Sequence, residues 1–147
     1  MVTKIEHKQR SECPIACALD VIGDHWTLLV IRNLMFLGLH EYKDMLNTEE
    51  QISSSILSDR LKKLQRDGLV ASLPHPRSQR RKLYFLTAQG KELIYMMTEL
   101  VIWSNNYLGE MVNIPEEKKR LIENDPDRLI RITLKELDAW EQEYLQE

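Results

Sequence analysis

Apolar positions fall at helical spacing along most of the chain, interrupted once by two strand-like runs. Pro14 suits the first turn of a helix, and Ile15 to Ile22 is apolar on nearly every side apart from Asp20. So short a helix needs cover on more than one side, and a second subunit is a natural supplier of the missing surface. Gly23-Asp24 breaks the pattern, and Asp24 is suited to cap a second helix over His25 to Met35. This helix carries Trp26, Leu28, Leu29, Ile31 and Leu34, with Trp26 read as a core anchor. Beyond a stop at Gly38, His40 to Leu46 predicts about two more helical turns with Tyr42, Met45 and Leu46 inward. Residues 47–51 then form a short connection.

The clearest stripe lies between Ile52 and Leu73. Ser53 is set to cap a helix in which Ile56, Leu57, Leu61 and Leu64 share one side, and Gly68 is a natural left-handed stop. Leu69 to Leu73 and Leu83 to Leu86 predict strands, and Pro74 to Lys82 predicts an exposed tip without large apolar residues. Thr87 is expected to cap one long helix to about Leu108, with Gly90 an early weak point. The apolar surface of that helix is wider than one packing partner requires, which assigns part of it to a subunit seam shared with the first helix. Ile15, Leu19, Leu100, Trp103 and Tyr107 are the candidate seam residues. Two further helices are predicted, Pro115 to Glu123 and Asp125-Pro126 to Gln146, with Leu129, Ile132, Leu137, Trp140, Tyr144 and Leu145 as packing positions.

Charge sharpens this picture. The outer face of the central helix carries Ser54, Ser55, Ser58, Asp59, Lys62 and Lys63, groups that can reach phosphates and base edges in a major groove. Arg60 to Lys82 contains eight Lys or Arg and one acid, a formal charge of +7 in a chain whose net charge is -3. Localised positive charge on an acidic chain marks a phosphate footprint, because solubility alone does not call for it. A helix with a polar reading face followed by a basic hairpin suits a winged helix-turn-helix. Ser53, Ser54, Ser55, Ser58, Asp59, Arg60, Lys62 and Lys63, with Arg77, Arg80 and Arg81 of the wing, are therefore the candidate DNA-binding residues. Solvated charge on an amphipathic helix and an exposed loop is the competing interpretation. Residues 92–147 reverse the sign, with six Lys or Arg against thirteen Asp or Glu, so this extension is expected to meet a protein partner or pack on a dimer rather than approach DNA.

At 147 residues, 43% of them hydrophobic, the chain suits one ordinary globular domain with elaborations. No apolar run approaches a membrane span and the first ten residues lack an apolar signal core, so a cytoplasmic location without membrane contact is expected. Residues 1–12 read as a mobile or partner-docked arm. The four histidines are scattered, and neither a paired-cysteine metal motif nor a glycine-rich phosphate loop occurs, so no metal, cofactor or catalytic residue is expected. Cys13 precedes the first helix, whose positive end favours a thiolate, and Cys17 follows one turn later.

The ordered combination of Cys13-Pro14, Leu19 to Gly23, Trp26-Thr27-Leu28-Leu29, Ile31-Arg32, Ile52-Ser53, Leu57, Arg60-Leu61, Leu64, Asp67-Gly68-Leu69-Val70, Tyr84, Leu86-Thr87 and Gly90 resembles the HxlR-type branch of the MarR-like winged-helix transcriptional regulators. The resemblance spans roughly Cys13 to Trp103. It implies a mainly α fold with a small β-hairpin: a winged helix-turn-helix with a helical dimerisation region, here followed by a C-terminal helical extension. It divides the chain into an arm (1–12), a winged-helix domain (13–108) and an acidic extension (109–147). A homodimer would set each Ile52–Arg66 region into one half of a pseudo-palindromic double-stranded operator. The resemblance also implies a response to small electrophiles or oxidants through Cys13, with Cys17 as its neighbour. Asp24-His25-Trp26 departs from the family's usual Gly-Lys-Trp, and Lys82-Leu83-Tyr84 from its usual Val-Glu-Tyr. The alternative carried alongside is a non-enzymatic protein-interaction module on the same scaffold.

Overall fold

The structure is a computed structural model that describes residues 10–145, and it divides after Gly90 into two compact units. The first nine residues of the expected arm, and Gln146 at the expected end of the last helix, lie outside the described residues.

The first unit runs α1 (Pro14–Ile22), α2 (His25–Met35), α3 (Tyr42–Leu46), α4 (Ser54–Arg66), β1 (Val70–His75) and β2 (Ser78–Leu86). Local chemistry sets the boundaries. The Asp24 carboxylate accepts the Thr27 N–H at 2.9 Å to start α2, and the Ser53 hydroxyl accepts the Ile56 N–H at 3.3 Å to start α4. Gly68, at φ 79°, takes the left-handed turn out of α4 that a side chain disfavours. Val30, Ile31 and Leu34 of α2 and Leu57, Leu61 and Leu64 of α4 are buried, and α2 packs on α4. Trp26 is not the core anchor that its apolar surroundings predicted. It is only half-buried, with the His25 ring edge-on at 5.0 Å, while Thr27 one position on is fully buried.

The hairpin is longer than its apolar runs. Both strands continue into the polar segment expected as a loop, leaving Pro76 and Arg77 at the turn, because backbone pairing does not depend on side-chain hydropathy. Val70 pairs with Leu86 and the register holds to Pro74 opposite Lys82. It then shifts, so that His75 faces Ser78 and Gln79 to Arg81 lie on the longer side. A pair of contacts ties the sheet to the segment before α3. The Tyr84 N–H donates to the His40 carbonyl at 2.8 Å, and His40 Nδ1 lies 2.8 Å from the Tyr84 carbonyl with its ring buried.

The helix expected from Thr87 to Leu108 is two helices, α5 (Ala88–Lys91) and α6 (Ile94–Tyr107), interrupted at Glu92 and Leu93. The first turn is pinned. Thr87 Oγ1 donates to the Gly68 carbonyl at 2.7 Å and accepts the Gly90 N–H at 3.1 Å, while a Cβ on Gly90 would lie 2.2 Å from the Leu69 carbonyl oxygen.

In the second unit, α6 leads through a 3-10 turn (Gly109–Met111) to α7 (Glu116–Asn124) and α8 (Pro126–Tyr144), and these three helices pack on one another. Ile122, Leu129, Ile130, Thr133 and Leu137 form the buried side, with the Thr133 hydroxyl satisfied by the Leu129 carbonyl at 2.9 Å. Ile132 and Tyr144 are exposed rather than packed inward. Ile132 lies off the line of Leu129, Thr133 and Leu137 that recurs every fourth residue, and Tyr144 stacks on Trp140 at 5.2 Å. Among the described residues no single helix is long and apolar enough to cross a membrane.

Candidate nucleic-acid interface

α4 brings its polar residues out in the order that a period of about 3.6 residues dictates. Ser54, Ser55, Asp59 and Lys62 are exposed, and Ser58 and Lys63 are partly covered. Ser53 is exposed but occupied as the helix cap. Ser58 donates to the Tyr42 hydroxyl at 3.2 Å, which itself donates to the Ser54 carbonyl at 2.9 Å. Tyr42 thereby fixes the first turn of α4 to α3, a role that its inward-facing assignment missed.

On the wing, Arg77 and Arg80 are exposed near the tip. Arg81 is exposed as well, but its Nε donates to Glu41 Oε1 at 2.7 Å, tying β2 to the residue before α3. This pair supplies a charged tether for the wing where the second strand lacks the acid of the related pattern. Between α3 and the wing lies an open cleft of about 330 Å³ lined by Lys43, Arg80, Arg81 and Lys82, one acid, Glu41, and Tyr42 and Tyr84. Burial, and secondarily the nearby Tyr42, raise the Tyr84 pKa, so this hydroxyl keeps its proton beside the cations.

Arg60 stands apart from the rest of the candidate set. Its guanidinium meets both oxygens of the Asp24 carboxylate, Nε at 2.6 Å and Nη2 at 3.2 Å, and Nη1 meets Asp59 at 2.6 Å. The Arg60 bonds, helped by the Thr27 N–H and hydroxyl and opposed by burial, hold the Asp24 carboxyl well below the usual carboxylate range. Nothing local in the sequence announces this contact between residues 36 apart. The same holds for Glu41 with Arg81 and for Arg32 with Glu50.

Cys13 is exposed as the residue before α1, and Cys17 is half-buried with its thiol 3.4 Å from the Ser11 carbonyl. Neither is in a disulfide among the described residues. Ile15 and Leu19 on α1, and Leu100, Trp103 and Tyr107 on α6, are all exposed; Tyr107 is 72% exposed although it is among the largest side chains of its helix. Among the described residues no cluster of His, Cys, Asp and Glu is placed to hold a metal ion.

Comparison with known proteins adds an independent line. A model of the HxlR-like helix-turn-helix family matches residues 21–112. The uncharacterized HTH-type transcriptional regulator Rv3095 of Mycobacterium tuberculosis is 31% identical over 107 residues, 73% of this chain and 66% of that protein, just under two thirds of its length. The HTH-type transcriptional regulator YodB of Bacillus subtilis is 29% identical over 108 residues, 73% of this chain and 96% of that one. The solved structure of reduced YodB superposes with a TM-score of 0.53 over 66% of this chain and 95% of its own, at 28% identity. YodB has also been solved after diamide treatment. PA1607, solved as a transcription-factor candidate, is 32% identical with a TM-score of 0.60, covering 75% of this chain and 72% of its own. These relatives are described as transcription regulators or a transcription-factor candidate.

Proposed function

The chain belongs to the HxlR-like helix-turn-helix family, and from that premise we propose that it is a cytoplasmic, sequence-specific double-stranded DNA-binding transcriptional regulator that acts as a homodimer on a pseudo-palindromic operator. The observation that carries this reading is the joint exposure of Ser54, Ser55 and Lys62 on α4 and of Arg77 and Arg80 on the hairpin beside it. The helix supplies groups for base edges, and the wing supplies cations for phosphates. Residues 13–108 form the regulatory domain in this reading, and the acidic residues 109–147 are kept from DNA by their own charge.

Exposure of Ile15, Leu19, Leu100, Trp103 and Tyr107 supports a second copy of the chain as their cover, since large apolar side chains in water are otherwise unfavourable. The exposed Cys13 at the start of α1 supports a redox or electrophile response that alters this dimer.

Titration of labelled duplex fragments from the protein's own gene neighbourhood, at several salt concentrations, tests the reading. Binding should favour one fragment and weaken steeply with salt, and sedimentation should give a dimer. Absence of duplex binding tighter than micromolar in both reduced and oxidised protein overturns it in favour of an interaction module.

A further inference from the structure

We propose that Asp24 is a positioning residue for the recognition helix: it withholds Arg60 from DNA and uses that guanidinium to hold α4 against the start of α2. The inference rests on the DNA-binding reading and adds a division of labour within the basic block. The two-bonded contact, Nε at 2.6 Å and Nη2 at 3.2 Å on the two carboxylate oxygens, is the fork geometry that makes arginine-carboxylate pairs strong and directional. Both side chains are partly covered, Arg60 at 24% and Asp24 at 33% exposure, so the pair is held by its fork geometry while both partners still touch water.

Helical geometry points the same way. At about 100° per residue, Arg60 projects nearly 180° from the middle of the face formed by Ser54, Ser55 and Lys62. It lies on the flank beside the buried Leu57 and Leu64. Arg60 is therefore a cation in the sequence that DNA does not feel as a free charge. With Asp59 on its remaining side, the local sum of one cation and two carboxylates is negative, which repels phosphate. Asp24 does a second task at once, because the same Oδ2 accepts the Thr27 N–H and hydroxyl and starts α2. One carboxylate thus sets both the first turn of α2 and the orientation of α4, and the reading face inherits its pose from that point.

Asp24→Asn separates the two tasks, since asparagine caps a helix as well as aspartate but carries no charge. The readouts are the salt dependence of duplex binding and the preference between duplexes. Asp24→Asn and Arg60→Gln should each leave the slope of log K against log salt unchanged while reducing preference for the favoured duplex, because positioning is lost without gain or loss of a phosphate contact. The double variant should lose no more preference than either single one, because both remove the same contact. A slope that drops by about 0.9 in Arg60→Gln makes Arg60 an ordinary phosphate contact and overturns the proposal, as does a preference unchanged in both single variants. If Asp24→Asn does not fold, the slope and preference of Arg60→Gln decide alone. Wild-type protein that shows no salt-dependent duplex binding instead overturns the DNA-binding reading, so the two failures are distinguishable.

Discussion

Arg32 on α2 and Glu50 in the turn before α4 form a two-bonded ion pair, Nη1 to Oε2 at 2.7 Å and Nη2 to Oε1 at 2.8 Å. It ties the connection of the helix-turn-helix to the helix behind it. The Arg32 bonds hold the Glu50 carboxyl down to about 2 against the opposing effect of burial. A carboxylate whose folded pKa is depressed stabilises the protein above its ordinary pKa, and that contribution vanishes as pH falls through the folded value. Glu50→Gln should therefore cost on the order of 1 kcal/mol at pH 7, since both side chains still touch water. The difference from wild type should persist down to about pH 4.5 and close as pH approaches 2. Urea denaturation of both proteins across that range checks it; a gap that widens in acid refutes the assignment.

The wing and the reading face should separate by kind of effect. Arg80→Ala should weaken binding to all duplexes by a similar factor and flatten the salt slope by about 0.9. Arg81→Ala should do this less, because part of the Arg81 charge is already met by Glu41. Ser54→Ala or Ser55→Ala should instead change preference between sequences with little change in slope. Competition titrations with scrambled duplexes distinguish the two behaviours, and identical effects from both groups would end the division.

Gly90→Ala tests the corner that joins the hairpin to α5. The new methyl would meet a backbone carbonyl oxygen at 2.2 Å, which no rotamer change relieves. The strain of about 1–3 kcal/mol exceeds the helix-propensity gain of about 1 kcal/mol. A fall in Tm of about 5 °C is expected in a thermal melt, and an unchanged Tm would show that the Leu69 carbonyl can move aside.

Of the two thiols, Cys13 should react first. It is exposed, whereas Cys17 is half-buried against the Ser11 carbonyl. Mass spectrometry after brief diamide treatment should find modification at Cys13, and Cys13→Ser should keep duplex binding while losing its response to oxidant. Preferential reaction at Cys17, or an oxidant response that survives Cys13→Ser, would count against a sensing role.

The sequence by itself determined the order and type of the elements and the polarity of their faces. Caps at Asp24 and Ser53, the stop at Gly68 and the stripe through Leu57, Leu61 and Leu64 are local signals, governed by backbone geometry within a turn or two. Strand length was not local: beyond Leu73 the strands are held by cross-strand pairing, which a hydropathy pattern does not carry. The break at Glu92 and Leu93 likewise carries no local signal, since neither glycine nor proline stands there. Tertiary structure alone decided which charges are available. Arg60, Arg80 and Arg81 look equivalent along the chain, yet folding gives Arg60 to Asp24 and Arg81 to Glu41 and leaves Arg80 exposed. Ion pairing acts over a few ångströms in space whatever the separation in sequence, so a sum of charges locates the basic surface but cannot apportion it.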